Sequence, residues 1–583
     1  MGAAISLLLG GVPISSADQL GDARQVLIEA RKAALSISGQ PEQIQALLSI
    51  VRLQSDAGDI REVQQTASLI PESYNIGHQR GFAEKAIVQA LAERKHIQAA
   101  RQRIETVRNK ARRRELLVSL VRALAKQRNI KEALQILGRL ENRKDYESGL
   151  LAVAANQLEV QNALKTARKI VKPRQHEKAV SQDAEHSYHQ ALERIASRRT
   201  MNGEVAEALK IADQLANEGE DEASFEGRMI KRNIAGLLAK EKRYDMAFRV
   251  ADALTEQDGK DAAYERIAVA QIENDDLTGA EKIATLIQNP TWRYCAMQEL
   301  ARAQMARGLN NEARRTIEEV LVTAGQNKDE HRAMVYRIRS VWLQAKNGDG
   351  EHAVEEAGKL SADHELGGAR TEALLGVAVY LAKQRNFGPA LLIIKGLPDG
   401  PRKEFGLNQL ARIQARMGLF EMANAVIEMI TDENEKENAL QRVAVERGKR
   451  GELEVARHAL GALRPLTRDW GLWSITKHRI ESRQFEHMIE LAQMIEYGVL
   501  RGEIFTDYAW AVASEGDPHV FTSSLRALKS PFDRAYAFIG VSRALLGHRI
   551  PPYRNPRPIR DYFDPCLGDG QEEEVYDDYD DGK

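Results

Sequence analysis

Aromatic residues are scarce in this chain, at 5% of its 583 positions, and there are only two cysteines. So few aromatics, with alanine abundant, suit thin helix–helix contacts rather than one thick core. The two cysteines make no disulfide framework. Cys295 falls in a helical stretch and Cys566 near the C-terminus, so both are expected as free thiols. No run approaches the roughly twenty apolar residues of a membrane span. Strand-like alternation of useful length is missing as well. No Gly-rich loop with Lys and Ser/Thr is present to cradle a phosphate. Pro290 removes Asn289–Thr291 as a glycan acceptor.

Metal patterns fail in the same way. His364-Glu365 opens like a zinc-protease helix, but position 368 is Gly where a second His is needed. His176, His186 and His189 lie in a long connection and read as satisfied or solvated side chains. The stretch Asn347–Glu351 is Gly-rich and acidic but lacks the calcium-loop spacing, so it reads as a turn. No catalytic, cofactor or metal residue is assigned.

What the chain does contain is a repeat. An aliphatic triplet at i, i+4, i+7 recurs fourteen times, from Val63/Ala67/Ile70 to Phe521/Leu525/Leu528. Copies are mostly 32–40 residues apart, often 33, with one gap of 30 and one of 45. Such residues share one helix face. Twelve residues before each triplet lies a second small or aliphatic site, such as Val51, Ala301, Ala411 and Ala509. It marks the core face of a preceding helix. Five residues before the triplet, seven copies carry Gly, including Gly58, Gly308 and Gly418, as a helix stop. Several others carry Lys or Arg, which suit a helix C-terminus. Asp59, Asn129, Asn310 and Asp349 read as caps of the second helix. A fixed period in this range means stacked helix pairs, each contacting only its neighbours.

This frame, clearest in Leu300-Ala301, Gly308, Ala313 and in Leu410-Ala411, Gly418, Ala423, resembles the tetratricopeptide repeat. The resemblance covers about residues 40–530. It departs in having Ile, Leu or Val at the last triplet site, and in lacking most of the family's Trp, Tyr and closing Pro. The expected fold is an all-α, right-handed alpha-solenoid of about fourteen helix-pair repeats. The resemblance implies a concave face lined by first helices, with groove positions one, four and five residues after the small site. Five residues after it stand Lys126, Lys240, Lys346, Lys383, Arg416 and Lys449; one residue after it stand Arg122, Arg302, Arg412 and Lys477. Trp342 and Trp510 fall at the same inner position, and Trp473 one turn earlier on its helix. The resemblance therefore implies a cationic groove with aromatic anchors. The competing reading is that Lys and Arg are simply good surface helix formers. Likewise Trp470, Trp473, Phe505, Tyr508 and Trp510 can pack the last repeats as a seal.

Formal charge is −1 overall but uneven, with 24 Lys or Arg against 10 Asp or Glu over residues 80–178. Lys110, Arg112, Arg113 and Arg114 form the densest cluster. Such a stretch is either a set of solvated faces or a patch for an acidic protein or a nucleic acid. Only Phe82 and Tyr146 are there to stack on bases, which favours protein. The expected organisation is a leader at 1–17, an N-terminal capping helix at 18–40, the repeats at 41–548 and a disordered Pro-containing acidic tail at 549–583. The leader lacks a basic n-region; with cleavage after Ala17 it implies a periplasmic or secreted protein, and without cleavage a cytoplasmic one. The expected function is a non-catalytic scaffold that needs no cofactor and holds a protein or peptide partner, acidic in character. Single-stranded RNA binding is the second reading, and an enzyme on a helical toroid the third.

Overall fold

The computed structural model describes residues 17–548, apart from 71–83, 86–87, 90, 93–95, 108, 141, 158–159, 171–181, 218–220 and 362–367. Every regular element among the described residues is an α-helix. The chain is an all-α solenoid of helix pairs. It divides into two compact units. The first takes in Met1–Ser187, Ala415–Phe420 and Glu437–Pro551; the second takes in Tyr188–Gln414 and Glu421–Lys436.

One repeat of the second unit shows how the sequence makes the pair. Its first helix, Pro290–Ala306, starts where Asn289 accepts a hydrogen bond from the Thr291 amide at 2.8 Å and where Pro290 takes the first turn. It ends at Gly308, whose φ of 73° turns the chain back. The second helix, Asn310–Gly325, buries Ala313, Ile317 and Val320 almost completely. Ala301, Ile317 and Leu343 meet with Met305 in one cluster, so the small site of one helix receives the triplet of the next. Burying a side chain such as Ile317 contributes about 1.5–3 kcal/mol.

The pattern holds along both units. The described triplet residues are buried except Leu463, Phe521 and Leu528, which are half-buried near the C-terminal end; the burial of Leu215 lies outside the described residues. Of the small sites only Leu151 is half-buried. The break between helices is more uniform than its residue types suggest. Arg128, Lys242, Asp275, Arg385 and Arg483 occupy the glycine position and adopt the same left-handed backbone, with φ between 58° and 70°. Charge at a helix end is therefore not what they share with Gly58 or Gly308; the shared feature is the turn. Gly516 is the exception, with an extended backbone. Of the four expected caps, Asp59 accepts the Glu62 amide through its side chain, whereas Asn129 and Asp349 flank their helices without such a bond and Asn310 is already helical.

Three registers of polar side chains tie repeat to repeat, and none was read from the sequence. An Arg eight residues before the small site donates to the carbonyl of the last triplet residue of the preceding repeat. It does so in Arg113→Val107, Arg293→Ile287, Arg370→Leu360 and Arg534→Leu528. A carboxylate seven before the small site accepts amides of the following inter-repeat loop. Asp261 takes Gln288 and Asn289, Glu404 takes Thr431 and Asp432, and Asp469 takes Glu496 and Tyr497. An amide or guanidinium six after the small site donates to a first-helix carbonyl of the repeat before, as Gln127→Ala92, Asn274→Ala239 and Gln384→Ala345 do. These bonds satisfy the orphan groups at helix ends. The signal was present as Arg and Asp/Glu recurring at fixed offsets, but polar residues on helices were read as surface.

Two expectations change here. Cys295 is buried in its helix and is not a free thiol but disulfide-bonded; Cys566 lies outside the described residues. The segment expected as an N-terminal cap forms the helix Ala17–Leu35, which packs both on its sequence neighbour Gln40–Asp56 and on the last helix, Pro531–Leu545. The leader at 1–16, the tail at 549–583, His176 and the His364 pattern fall outside the described residues.

Candidate partner-binding surface

The groove residues expected from the sequence lie on first helices of both units. In the second unit, Lys240 is exposed and pairs with Glu273 at 3.2 Å across to the next repeat. Arg302 pairs with Glu299 at 3.1 Å one turn back. Lys383 lies 4.9 Å over the Tyr380 ring. Lys346 and Arg412, and in the first unit Arg416, each carry an interaction of their own. Trp342 is half-buried, donates to the Glu372 carbonyl at 3.3 Å and lies directly over Gly376, where a Cβ would strike its indole. Gly376 is thus the seat that lets this Trp pack.

In the first unit, Lys449 pairs with Glu446 at 3.1 Å. Lys477 lies between Glu503 at 3.1 Å and the closer Asp507. Burial works to lower the Lys477 pKa, but the two carboxylates outweigh it and hold the ammonium above the usual lysine range. Trp473 is buried and donates to Glu503. It is a packing residue and not an exposed anchor, because the neighbouring first helix Gly498–Glu515 lies over it. Trp510 is half-buried and donates to the His548 carbonyl at 2.7 Å. Of the two sequence alternatives for these Trp residues, the geometry supports packing.

The cationic groove is therefore balanced by carboxylates at Lys240, Arg302, Lys449 and Lys477. A different part of the first unit keeps its charge. Arg122 and Lys126, on the helix Lys110–Lys126, are exposed and have no carboxylate partner among the described residues; Arg122 donates only to the Ser148 hydroxyl at 2.7 Å. Arg52, at the position one after the small site Val51, is exposed and likewise unpaired. Arg52 has the same offset as Arg122 but lies outside the groove set expected from the sequence. The denser cluster nearby has structural duties. Arg113 caps Val107, Arg112 faces Glu84 at 3.9 Å, and Arg114 faces Asp145 at 3.3 Å.

No group of three or more His, Cys, Asp or Glu side chains among the described residues is placed to hold a metal ion. No helix among them is long and apolar enough to cross a membrane. No family model matches the chain and no curated protein matches it. Solved structures similar to it include Ton1535 from Thermococcus onnurineus NA1, at 16% identity over 67% of this chain and 97% of that one, with a TM-score of 0.21. Another is a chain from a structure of Kap95p with RanGDP, at 11% identity over 89% and 79%, TM-score 0.32. A third is from Naa15/Naa10 bound to HypK, at 12% identity over 91% and 88%, TM-score 0.29. These scores carry no argument about function.

Proposed function

We propose that this chain is a non-catalytic scaffold that binds an acidic, extended segment of a protein partner on its first-helix face, at the surface carrying Arg52, Arg122 and Lys126. The observation that carries the reading is the contrast in pairing. Lys240, Arg302, Lys449 and Lys477 have intramolecular carboxylates, while these three are exposed without one among the described residues. Unpaired cations on first helices attract anionic segments and steer their approach. The non-catalytic part of the reading is supported by how the buried acids are used. Asp261, Asp469 and Asp533 are spent on loop amides or on Arg501, so their charge is committed to the fold.

The test is titration of a fluorescent Asp/Glu-rich peptide into the full chain and into an Arg52→Glu, Arg122→Glu, Lys126→Glu variant. Binding that weakens steeply with salt and is lost in the triple variant, but persists in Lys240→Glu, supports the reading. Equal binding by the triple variant overturns it. Tighter, salt-dependent binding of single-stranded RNA than of the peptide would replace it with the nucleic-acid reading.

A further inference from the structure

Each repeat is a first helix followed by a second, yet among the described residues no second helix follows Pro531–Leu545. Pro531–Leu545 places Val541-Ser542 in the register of a small site, 33 residues after Ala509, and Ser542 is fully buried. A triplet belongs twelve residues later, at Arg554, but the sequence there is PPYRNPRP. The first helix of the chain supplies what is missing. Ala30, Ala34 and Ile37 form a buried i, i+4, i+7 triplet, and Ala30 stands 33 residues before Val63.

Three contacts put this helix in the register of a second helix. Gln43, eight residues before its small site, donates to the Ile37 carbonyl at 3.2 Å, as Arg293 does to Ile287. Arg31 pairs with Glu62 at 2.5 Å, each adjoining the first residue of its own triplet; Arg101 and Glu132 pair in the same register at 3.1 Å. On the other side, His519 of the helix Pro518–Leu525 lies 3.1 Å from Asp22, so the helix is flanked by second helices both before and after. Its packing on Pro531–Leu545 and Gln40–Asp56 repeats the neighbours of an interior second helix.

We infer that one further repeat is assembled from the two ends of the chain, and that residues 17–37 act as an intramolecular ligand that latches the C-terminal repeats to the N-terminal ones. In an open solenoid the terminal repeats fray first, because each has one neighbour only. With the latch docked, Pro531–Leu545 has neighbours on both sides, and its stability depends on residues some five hundred positions away in sequence. Release of the latch uncovers the face of Pro531–Leu545 that packs on the helix Ala17–Leu35.

The experiment is hydrogen exchange on the full chain with Ala30→Asp, which puts an unpaired charge into the junction. Amides of Pro531–Leu545 are expected to exchange faster by roughly tenfold or more, together with those of Gln40–Asp56. Acceleration confined to residues 17–68 would overturn the inference. Should that variant unfold altogether, Ala30→Ser and Ile37→Val perturb the same seat gently and are read in the same way. A second measurement needs no destabilised chain. Asp22→Cys with His519→Cys, joined by a short bis-maleimide, is expected to give a cross-linked monomer with a raised Tm. Failure to cross-link within one chain, or an unchanged Tm, would count against the latch.

Discussion

Arg385 and Gly308 hold corresponding positions in two repeats, and both have left-handed backbones, at 66° and 73°. A side chain in that region costs about 1–2 kcal/mol that glycine avoids, less what glycine loses in entropy on folding. Arg385→Gly should therefore stabilise the protein by about 0.5–1 kcal/mol. Gly308→Ala should destabilise it by about 1 kcal/mol, through backbone strain alone, since nothing lies within 4 Å of the added Cβ. Urea unfolding of both variants checks this; opposite signs are required. The triplet alanines behave differently. Ala313 and Ala423 are fully buried, so Leu at either should overpack the crossing and cost about 1–3 kcal/mol. Thermal melts of the two single variants measure it. Apolar positions of this kind were legible in the sequence because burial leaves a period. The left-handed Arg was not, because its conformation is imposed by the repeat and not by its own preference.

Between elements, the ties are guanidiniums on helix starts that reach back to the preceding repeat and carboxylates that reach into the following loop. Glu404 shows the consequence for pH. Burial opposes its ionised form, but the hydrogen bonds from Thr431 and Asp432 outweigh burial and hold its pKa below the usual glutamate value. A depressed carboxylate stabilises the fold above its unfolded pKa of about 4.3. That contribution is lost as pH falls through the lower folded-state value. Glu404→Gln should therefore lower stability near neutral pH and flatten the acid limb of a Tm-against-pH curve. A parallel shift at all pH values would mean the bonds matter but the charge does not. Helix order and pairing could be read from sequence because each helix presents a stripe. These inter-repeat ties recur at fixed offsets too, but a polar residue on a helix reads as surface until its partner is seen.

At the scale of the whole molecule, the solenoid fold follows from the repeat, while the binding surface needed side-chain geometry. Lys240 is indistinguishable from Lys126, and Lys477 from Arg122, by offset alone; only the carboxylate partners of Lys240 and Lys477 separate them. Trp473 met the spacing of a groove residue, yet the adjoining helix covers it. Arg52 stands one residue after its small site, as Arg122 does, outside the groove set expected from the sequence. The further repeat was hidden for another reason, since the triplet at residues 30–37 has no first helix before it among the described residues. The central claim is that a partner binds on the first-helix face, and it can be tested without knowing the partner. A photo-cross-linking residue is placed at Lys126, on that face, and separately at Val455, an exposed position on the second helix Leu453–Gly461. Each protein is expressed in its native cell and irradiated, and cross-linked species are counted by mass spectrometry. The account predicts capture of a discrete, acidic partner from position 126 and none from 455. Capture from 455 alone would contradict it.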